Sequence, residues 1–226
     1  EGHSSLAHQL TNYVITRYRA MGAHTFYAVV DEKQVDLINI FKDETGFRDC
    51  SCEYLYKINP IECESSVSLK PLKNENIKEI TKFYNENINS FNRYLFARDE
   101  YQFKNNCQKY VFFGEKDKIL GYFEVATKNS VDFYINFSID CAYDVYLLDV
   151  LKFVHSKLKR KQKNFNLYIK VKEYFINSKE LIAILNENNF ELVSKSRILA
   201  KDYYREIKEL DILKHAKIIF NDPTTA

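Results

Sequence analysis

The first 58 residues show a regular succession of hydrophobic patterns. Apolar residues recur at steps of three and four over 6–21, which predicts an amphipathic helix. A short apolar run over 25–30 predicts a buried strand, and 35–42 predicts a second, shorter helix. A turn at Gly46-Phe47 then leads into 50–58, where alternating residues predict a long strand.

A polar connector at 59–66 separates this stretch from a second one, in which the patterns begin again. From 211 to the end the chain shows a short helical pattern and a polar tail. The second stretch contains six strands and three helices by prediction. In chain order they are a strand at 67–72, a helix at 76–89, strands at 110–113, 119–127 and 131–139, a helix at 143–158, a strand at 165–171, a helix at 178–186 and a strand at 191–200 that 202–207 extend.

One order of elements occurs twice in the chain. Helix, strand, short helix, turn with Phe and long strand follow one another in 6–58, and again in 143–207. The aromatic residue of the turn is Phe47 in the first case and Phe190 in the second. We interpret this as an internal duplication whose first copy lacks its front half, so that 1–58 are not expected to fold alone. The predicted division is a half unit at 1–58, a connector at 59–66, a complete unit at 67–210 and a tail at 211–226.

Composition narrows the function classes. The chain has 226 residues with 46% hydrophobic ones, which is enough for a folded core, and it has no apolar run long enough to span a membrane. A net charge of +2 gives no overall attraction to nucleic acid. Five cysteines without a CxxC pair indicate free thiols in a reducing cytoplasm and no metal site. Five glycines leave little material for a phosphate-binding loop.

The order of elements in 67–207 resembles the GNAT acyltransferase fold, which has a strand, helices, an antiparallel meander, and then helix, strand, helix and strand. The first stretch resembles the back half of the same fold. The resemblance therefore implies an α/β protein with a central twisted mixed sheet flanked by helices, in a tandem or partly tandem arrangement. It also implies an acyl-CoA, such as acetyl-CoA, as co-substrate.

The resemblance also predicts where the acyl-CoA binds. GNAT enzymes hold its pyrophosphate at a Q/R-x-x-G-x-G/A loop, where backbone N–H groups and the start of a helix face the phosphates. In the first copy this position is held by Gly2, His3, Ser4 and Ser5, with the Arg or Gln expected upstream of residue 1. An ordinary helix start is the alternative for these residues. The loop of the second copy, at 139–144, has no Gly and carries two aspartates, so we do not expect it to bind CoA.

The usual catalytic tyrosine of the family is missing from both copies. The Tyr that protonates the leaving thiolate in many GNAT enzymes is replaced by Lys42 in the first copy and by Leu185 in the second. Tyr27 is a possible substitute, although packing in the sheet is the alternative for it. Glu124 lies on a strand where many GNAT enzymes carry the base that takes the amine proton, although a solvated strand position is the alternative.

Two functions remain open from the sequence. The first is acyl-CoA-dependent N-acyl transfer to a small-molecule amine or a peptide, with a second copy that is not catalytic. The second is a catalytically inactive GNAT-like module that binds a ligand or a protein. A homodimer is possible in either case, whereas a membrane or nucleic-acid partner is not expected.

Overall fold

A computed structural model describes residues 2–60, 65–104 and 107–203 of the chain, with the side chains of 2–5 left out of the description. Within these ranges there are eight strands and six α-helices. The strands are β1 (Thr25–Asp31), β2 (Arg48–Ile58), β3 (Leu69–Pro71), β4 (Gln108–Phe113), β5 (Ile119–Thr127), β6 (Asp132–Ile139), β7 (Asn166–Lys172) and β8 (Glu191–Asp202). The helices are α1 (Gly2–Ala20), α2 (Val35–Asn39), α3 (Ile77–Glu86), α4 (Arg93–Phe96), α5 (Leu147–Lys161) and α6 (Ser178–Glu187).

All eight strands form one sheet in the order β1-β8-β2-β7-β6-β5-β4-β3. Strands β6 and β7 are parallel and the other neighbours in this sheet are antiparallel. The parallel pair requires a crossover connection, which α5 supplies. The predicted α/β class with a mixed central sheet flanked by helices is confirmed.

The two predicted halves of the chain exchange a strand. Strand β8 lies between β1 and β2, and β2 lies between β8 and β7. Each half therefore places its last strand beside the preceding strand of the other half. This reciprocal insertion joins 1–58 to the rest of the sheet, and the expectation that 1–58 do not fold alone stays a prediction.

The exchange has nearly two-fold symmetry in its register. Phe26 of β1 lies opposite Lys201, and Leu167, at the matching position of β7, lies opposite Ile58. Strands β2 and β8 pair around Glu53 and Ser196, with one register shift on each side of this point. The register is thus the same at both junctions, and the duplication itself stays a prediction.

The two predicted turns both contain a residue with a positive φ. Gly46 has a φ of +71° and Asn189 a φ of +56°, the left-handed region that glycine and asparagine tolerate best. In each case the next residue closes the turn with a backbone hydrogen bond, from Phe47 N–H to the Phe41 carbonyl (2.9 Å) and from Phe190 N–H to the Leu185 carbonyl (3.1 Å). These residues set the start of β2 and β8.

Three apolar clusters fill the space around the sheet. The largest packs α5 and α6 onto β2 and β5–β7, with Leu151 and Ile169 fully buried at its centre. On the opposite face α3 packs with Phe103 and Tyr122. A smaller cluster joins α1, α2 and β1 through buried residues such as Ile15.

Several predicted boundaries differ from the structure. Helix α1 begins at Gly2, so Ser4 and Ser5 lie inside the helix instead of capping it. The helix predicted at 35–42 is α2 followed by a π-helical turn over Ile40–Glu44. The helix predicted at 143–158 is a 3₁₀ turn over Cys141–Tyr146 followed by α5. Helix α4 was not predicted, because four residues are too few for a helical period.

The predicted apolar face of α1 does not face the core. Leu6, Leu10, Tyr13 and Met21 define the predicted hydrophobic face, yet each is at least 60% exposed. The residue of α1 that enters the core is Ile15. The amphipathic pattern predicted the helix, whereas the side of the helix that meets the sheet was set by the packing of α2 and β1. Residues 61–64, which include Cys63, and residues 204–226 with their predicted strand extension and helical pattern lie outside the described residues.

A buried histidine in α5 should make stability depend on pH. Burial and the nearby Lys159 hold the pKa of His155 below its ordinary 6.5. The folded chain then binds fewer protons at this site than the unfolded chain, so stability rises with pH up to about 6.5 and is lost below it. We expect His155→Val to flatten the dependence of the urea midpoint on pH between about 5 and 7. An unchanged slope in the variant would show that another group controls this range.

Candidate functional site

The parallel strands β6 and β7 form a cleft at one end of their length. Pairing between β6 and β7 ends at Asn136 and Lys170, although the strands continue to Ile139 and Lys172. The two strands separate beyond this point. The loop at 139–144, the second counterpart of the predicted phosphate loop, begins at this end of β6.

The cleft between β6 and β7 is filled by the protein itself. The Asn87 side-chain amide donates to the Ser138 hydroxyl (2.9 Å), and the Asn177 amide donates to the Ile139 carbonyl (3.3 Å). Ile88, which is fully buried, forms a β-bridge with Phe175 across the same region. Two loops, one after α3 and one after β7, therefore close this cleft with buried polar and apolar side chains.

The helix start beside this cleft is also occupied by a side chain. Asp140 caps the turn that precedes α5, since its carboxylate accepts a hydrogen bond from the Ala142 N–H (3.0 Å). The same carboxylate lies 3.5 Å from Lys118 Nζ. A carboxylate already holds the position where a phosphate would bind, and its charge would repel one. That the second loop does not bind CoA stays a prediction.

The corresponding place in the first half is the outer edge of β1. No described strand lies beyond β1 on that side of the sheet. Gly2, His3, Ser4 and Ser5 form the first turn of α1, where backbone N–H groups have no partner within the helix. Their assignment to acyl-CoA remains a prediction, with helical backbone in place of the expected loop.

Tyr27 and Lys42 lie on opposite faces of the sheet. Tyr27 is exposed on β1, opposite Ala200, and its ring centre is 6.3 Å from that of Phe96. Lys42 lies on the side of α1 and its Nζ is 2.5 Å from an Asp49 carboxylate oxygen. The hydrogen bond from Lys42, together with Arg197, holds the pKa of Asp49 below its usual value. Lys42 is thus held in an ion pair.

Glu124 is buried in the face of β5 that α3 covers. Its carboxylate lies 3.6 Å from Arg98 Nη1, and the Arg98 guanidinium lies 4.6 Å from the centre of the Tyr84 ring. Burial raises the pKa of the Cys107 thiol, and the Glu124 carboxylate beside it raises it further. Burial also raises the pKa of Tyr122. The solvated position that was the alternative for Glu124 is therefore wrong.

The structure does not bring the three catalytic candidates together. Five strand spacings separate Tyr27 on β1 from Glu124 on β5, which corresponds to about 24 Å. Lys42 lies on the other face. Sequence reasoning missed Arg98, Asn87 and Asn177, because hydrophobic periodicity does not show which partner a single polar residue finds in the fold.

Polar groups also meet where the strands exchange. The backbone N–H of Glu32 donates to the Lys195 carbonyl and that of Glu173 donates to the Cys52 carbonyl, both at 2.9 Å and at matching positions. The Glu32 carboxylate pairs with Lys195 (3.1 Å). Burial and Glu173 raise the pKa of Cys52 to about 11, so this thiol is protonated at neutral pH.

Metal clusters, membrane-spanning helices and disulfides were each sought among the described residues. Those residues contain no cluster of three or more side chains that suits a metal ion. None of their helices combines the length and the apolar character that a membrane span needs. The four described cysteines, Cys50, Cys52, Cys107 and Cys141, are free thiols.

Known proteins resemble the chain in structure but not in sequence. No protein-family model matches it, and a search of curated proteins finds no match. A GCN5-related N-acetyltransferase from Kribbella flavida matches with a TM-score of 0.55 and 8% identity, over 90% of this chain and 78% of that one. A tandem GNAT protein from the clavulanic acid biosynthesis pathway matches with a TM-score of 0.52 and 11% identity, over 83% of this chain and 67% of that one.

A third structure matches the chain to a similar extent. The GCN5-related N-acetyltransferase from Sphaerobacter thermophilus has a TM-score of 0.51 at 11% identity, over 82% of this chain. The present chain spans 62% of that protein, a little less than two thirds. At such identities the likeness concerns the fold. Together with the mixed sheet, the separating parallel strands and the helix that follows β6, it shows that the chain has the fold of the GNAT acetyltransferases.

Proposed function

We propose that the protein is an acyl-CoA-dependent N-acyltransferase that binds acyl-CoA at the first half of the sheet and uses the second half as a scaffold. The contrast between two matching places carries the proposal. Asn87 and Asn177 close the cleft beside β7, whereas no described strand lies beyond the matching edge of β1. The acceptor in this proposal is a small-molecule amine or a peptide amine.

The chemistry would rest on backbone groups at this edge. The N–H groups of Gly2, His3, Ser4 and Ser5 would bind the pyrophosphate at the positive end of α1. The acceptor nitrogen attacks the thioester carbonyl carbon, the new C–N bond forms, and the C–S bond breaks to release CoA as a thiolate. Tyr27 would protonate that thiolate, and water would take the proton from the amine. Positioning of the two substrates would supply most of the rate.

Calorimetry with acetyl-CoA tests where the ligand binds. We expect Ser4→Asp to weaken binding by at least about tenfold, because a carboxylate placed among the α1 N–H groups competes with the pyrophosphate. The same substitution favours the start of a helix, so unfolding would not explain the loss. The matched control is Asp140→Asn, which should change the affinity by less than about twofold, because Asp140 caps the turn before α5.

Two outcomes would contradict the proposal. An absence of heat and of thermal shift at millimolar acetyl-CoA would exclude acyl-CoA as the ligand. Stronger binding in Asp140→Asn with no effect of Ser4→Asp would move the site to the second half.

A second candidate function is a GNAT-fold module that binds a ligand without catalysis. Two observations favour it: Leu185 is fully buried, and Lys42 is paired with Asp49. Neither position of the general acid then offers a free proton donor. Binding of acetyl-CoA without release of free CoA thiol in the presence of amines would support this function over acyl transfer.

A further inference from the structure

The first half of the sheet presents an unusual exposed surface, which we call the α1 face. It consists of Leu6, Leu10, Tyr13 and Val14 on one side of α1. Leu10 is 62% exposed. Single exposed apolar residues are common on proteins, but a continuous row along more than two turns of a helix indicates a contact surface.

The second half shows what covers such a row. When β1 is matched to β7, these four residues correspond in order to Leu147, Leu151, Val154 and His155 of α5, each of which is buried. Leu151 is 0% exposed. The α5 residues pack in one cluster with side chains of β4, β5 and β6, among them Phe112 and Phe137. Strands β3–β6 are thus the half-sheet that covers α5.

The free edge of β1 also matches the edge of β7 that pairs with β6, as the backbone hydrogen bonds show. The His24 carbonyl accepts from Tyr203 N–H, and Glu32 N–H donates to the Lys195 carbonyl, so even-numbered residues of β1 pair with β8. The N–H groups of Tyr27 and Val29 therefore point to the open side. The matching edge of β7 faces β6, and there Asn166 N–H donates to the Val131 carbonyl just before β6 begins.

We infer that the α1 face and the edge of β1 bind a second half-sheet built like β3–β6. Its last strand would pair in parallel with β1, as β6 pairs with β7, and its apolar side chains would cover Leu6, Leu10 and Tyr13. This half-sheet comes from polypeptide other than the described residues, since their own β6 is already paired with β7. The inference concerns an interaction surface and does not depend on the binding of acyl-CoA.

The test is a fusion that places a second copy of 67–141 directly before Glu1, followed by the whole chain. Residue 142 of the second half matches Glu1, so this junction reproduces the spacing between β6 and α5. Hydrogen exchange is measured without acyl-CoA. We expect exchange of the Tyr27 and Val29 amides to slow at least tenfold relative to the unfused chain. The Phe26 and Ala28 amides, which face β8, serve as the internal reference.

A control fusion carries Leu10→Glu and Tyr13→Glu, which should remove the added protection by placing charges on the α1 face. These side chains are exposed in the unfused chain, so the substitutions should leave its own melting temperature nearly unchanged. A folded fusion in which Tyr27 and Val29 exchange as fast as before overturns the inference.

A second measurement on the unfused chain keeps the inference testable if the fusion does not fold. A monomer in sedimentation, with fast exchange at Tyr27 and Val29, supports an unoccupied surface that awaits a partner. A dimer that Val29→Lys dissociates would make a second copy the occupant, which overturns the inference. The inference is also overturned if the Tyr27 and Val29 amides exchange fast only after residues 204–226 are removed. That segment would then be the occupant of the surface.

Discussion

Leu151→Ala is expected to lower the free energy of unfolding by about 2–5 kcal/mol, whereas Leu10→Ala is expected to change it by less than about 0.5 kcal/mol. The two leucines hold matching positions in α5 and α1. Leu151 is 0% exposed in the main cluster, so its truncation removes buried contacts and leaves a cavity. Leu10 is 62% exposed, so its truncation removes few buried contacts.

Chemical denaturation of both variants, followed by circular dichroism, measures this difference. The pair is its own control, because the residue type, the helix context and the substitution are the same. An equally large loss for Leu10→Ala in the 226-residue chain would contradict the exposure of the α1 face. It would mean that something buries Leu10 in solution.

Arg98→Met is expected to lower the free energy of unfolding by about 3 kcal/mol, the low end for removing one partner of a buried ion pair. Glu124 is 5% exposed, and the variant leaves its charge without the guanidinium 3.6 Å away. The low end is appropriate because Cys107 still lies beside the carboxylate. The double variant Arg98→Met/Glu124→Gln should recover part of the loss, since it removes the buried charge.

Lys82→Met supplies the matched control for this experiment. Lys82 and Glu86 form an exposed ion pair on α3, with 3.8 Å between Nζ and the carboxylate, and its loss should cost less than about 1 kcal/mol. If Arg98→Met costs no more than Lys82→Met, the Arg98–Glu124 pair is not structural. Glu124 would then again be a candidate base for an amine proton.

The predictions that held are those that depend on short-range patterns. The apolar run over 119–127 predicted β5 with its observed bounds, because the residue preferences of a strand and of the turn before it are local. The two turns were predicted from Gly46 and Asn189, whose backbones accept a positive φ, and from the Phe that follows each. The site residues were harder to predict. Tyr27, Lys42 and Glu124 were chosen by residue type and by position relative to the GNAT family, and the fold separates them.

The sequence by itself determined the order of elements, the recurrence of that order and the absence of glycine from 139–144, because local periodicity and backbone preference are properties of neighbouring residues. Only the tertiary structure decided that β8 lies between β1 and β2, because strand pairing joins residues more than a hundred positions apart. It also decided that Asn87 and Asn177 close one cleft and that Leu10 faces outward while Leu151 is buried. Two helices with similar patterns differ here because burial depends on the neighbouring half-sheet, which covers α5 and for which α1 has no described counterpart.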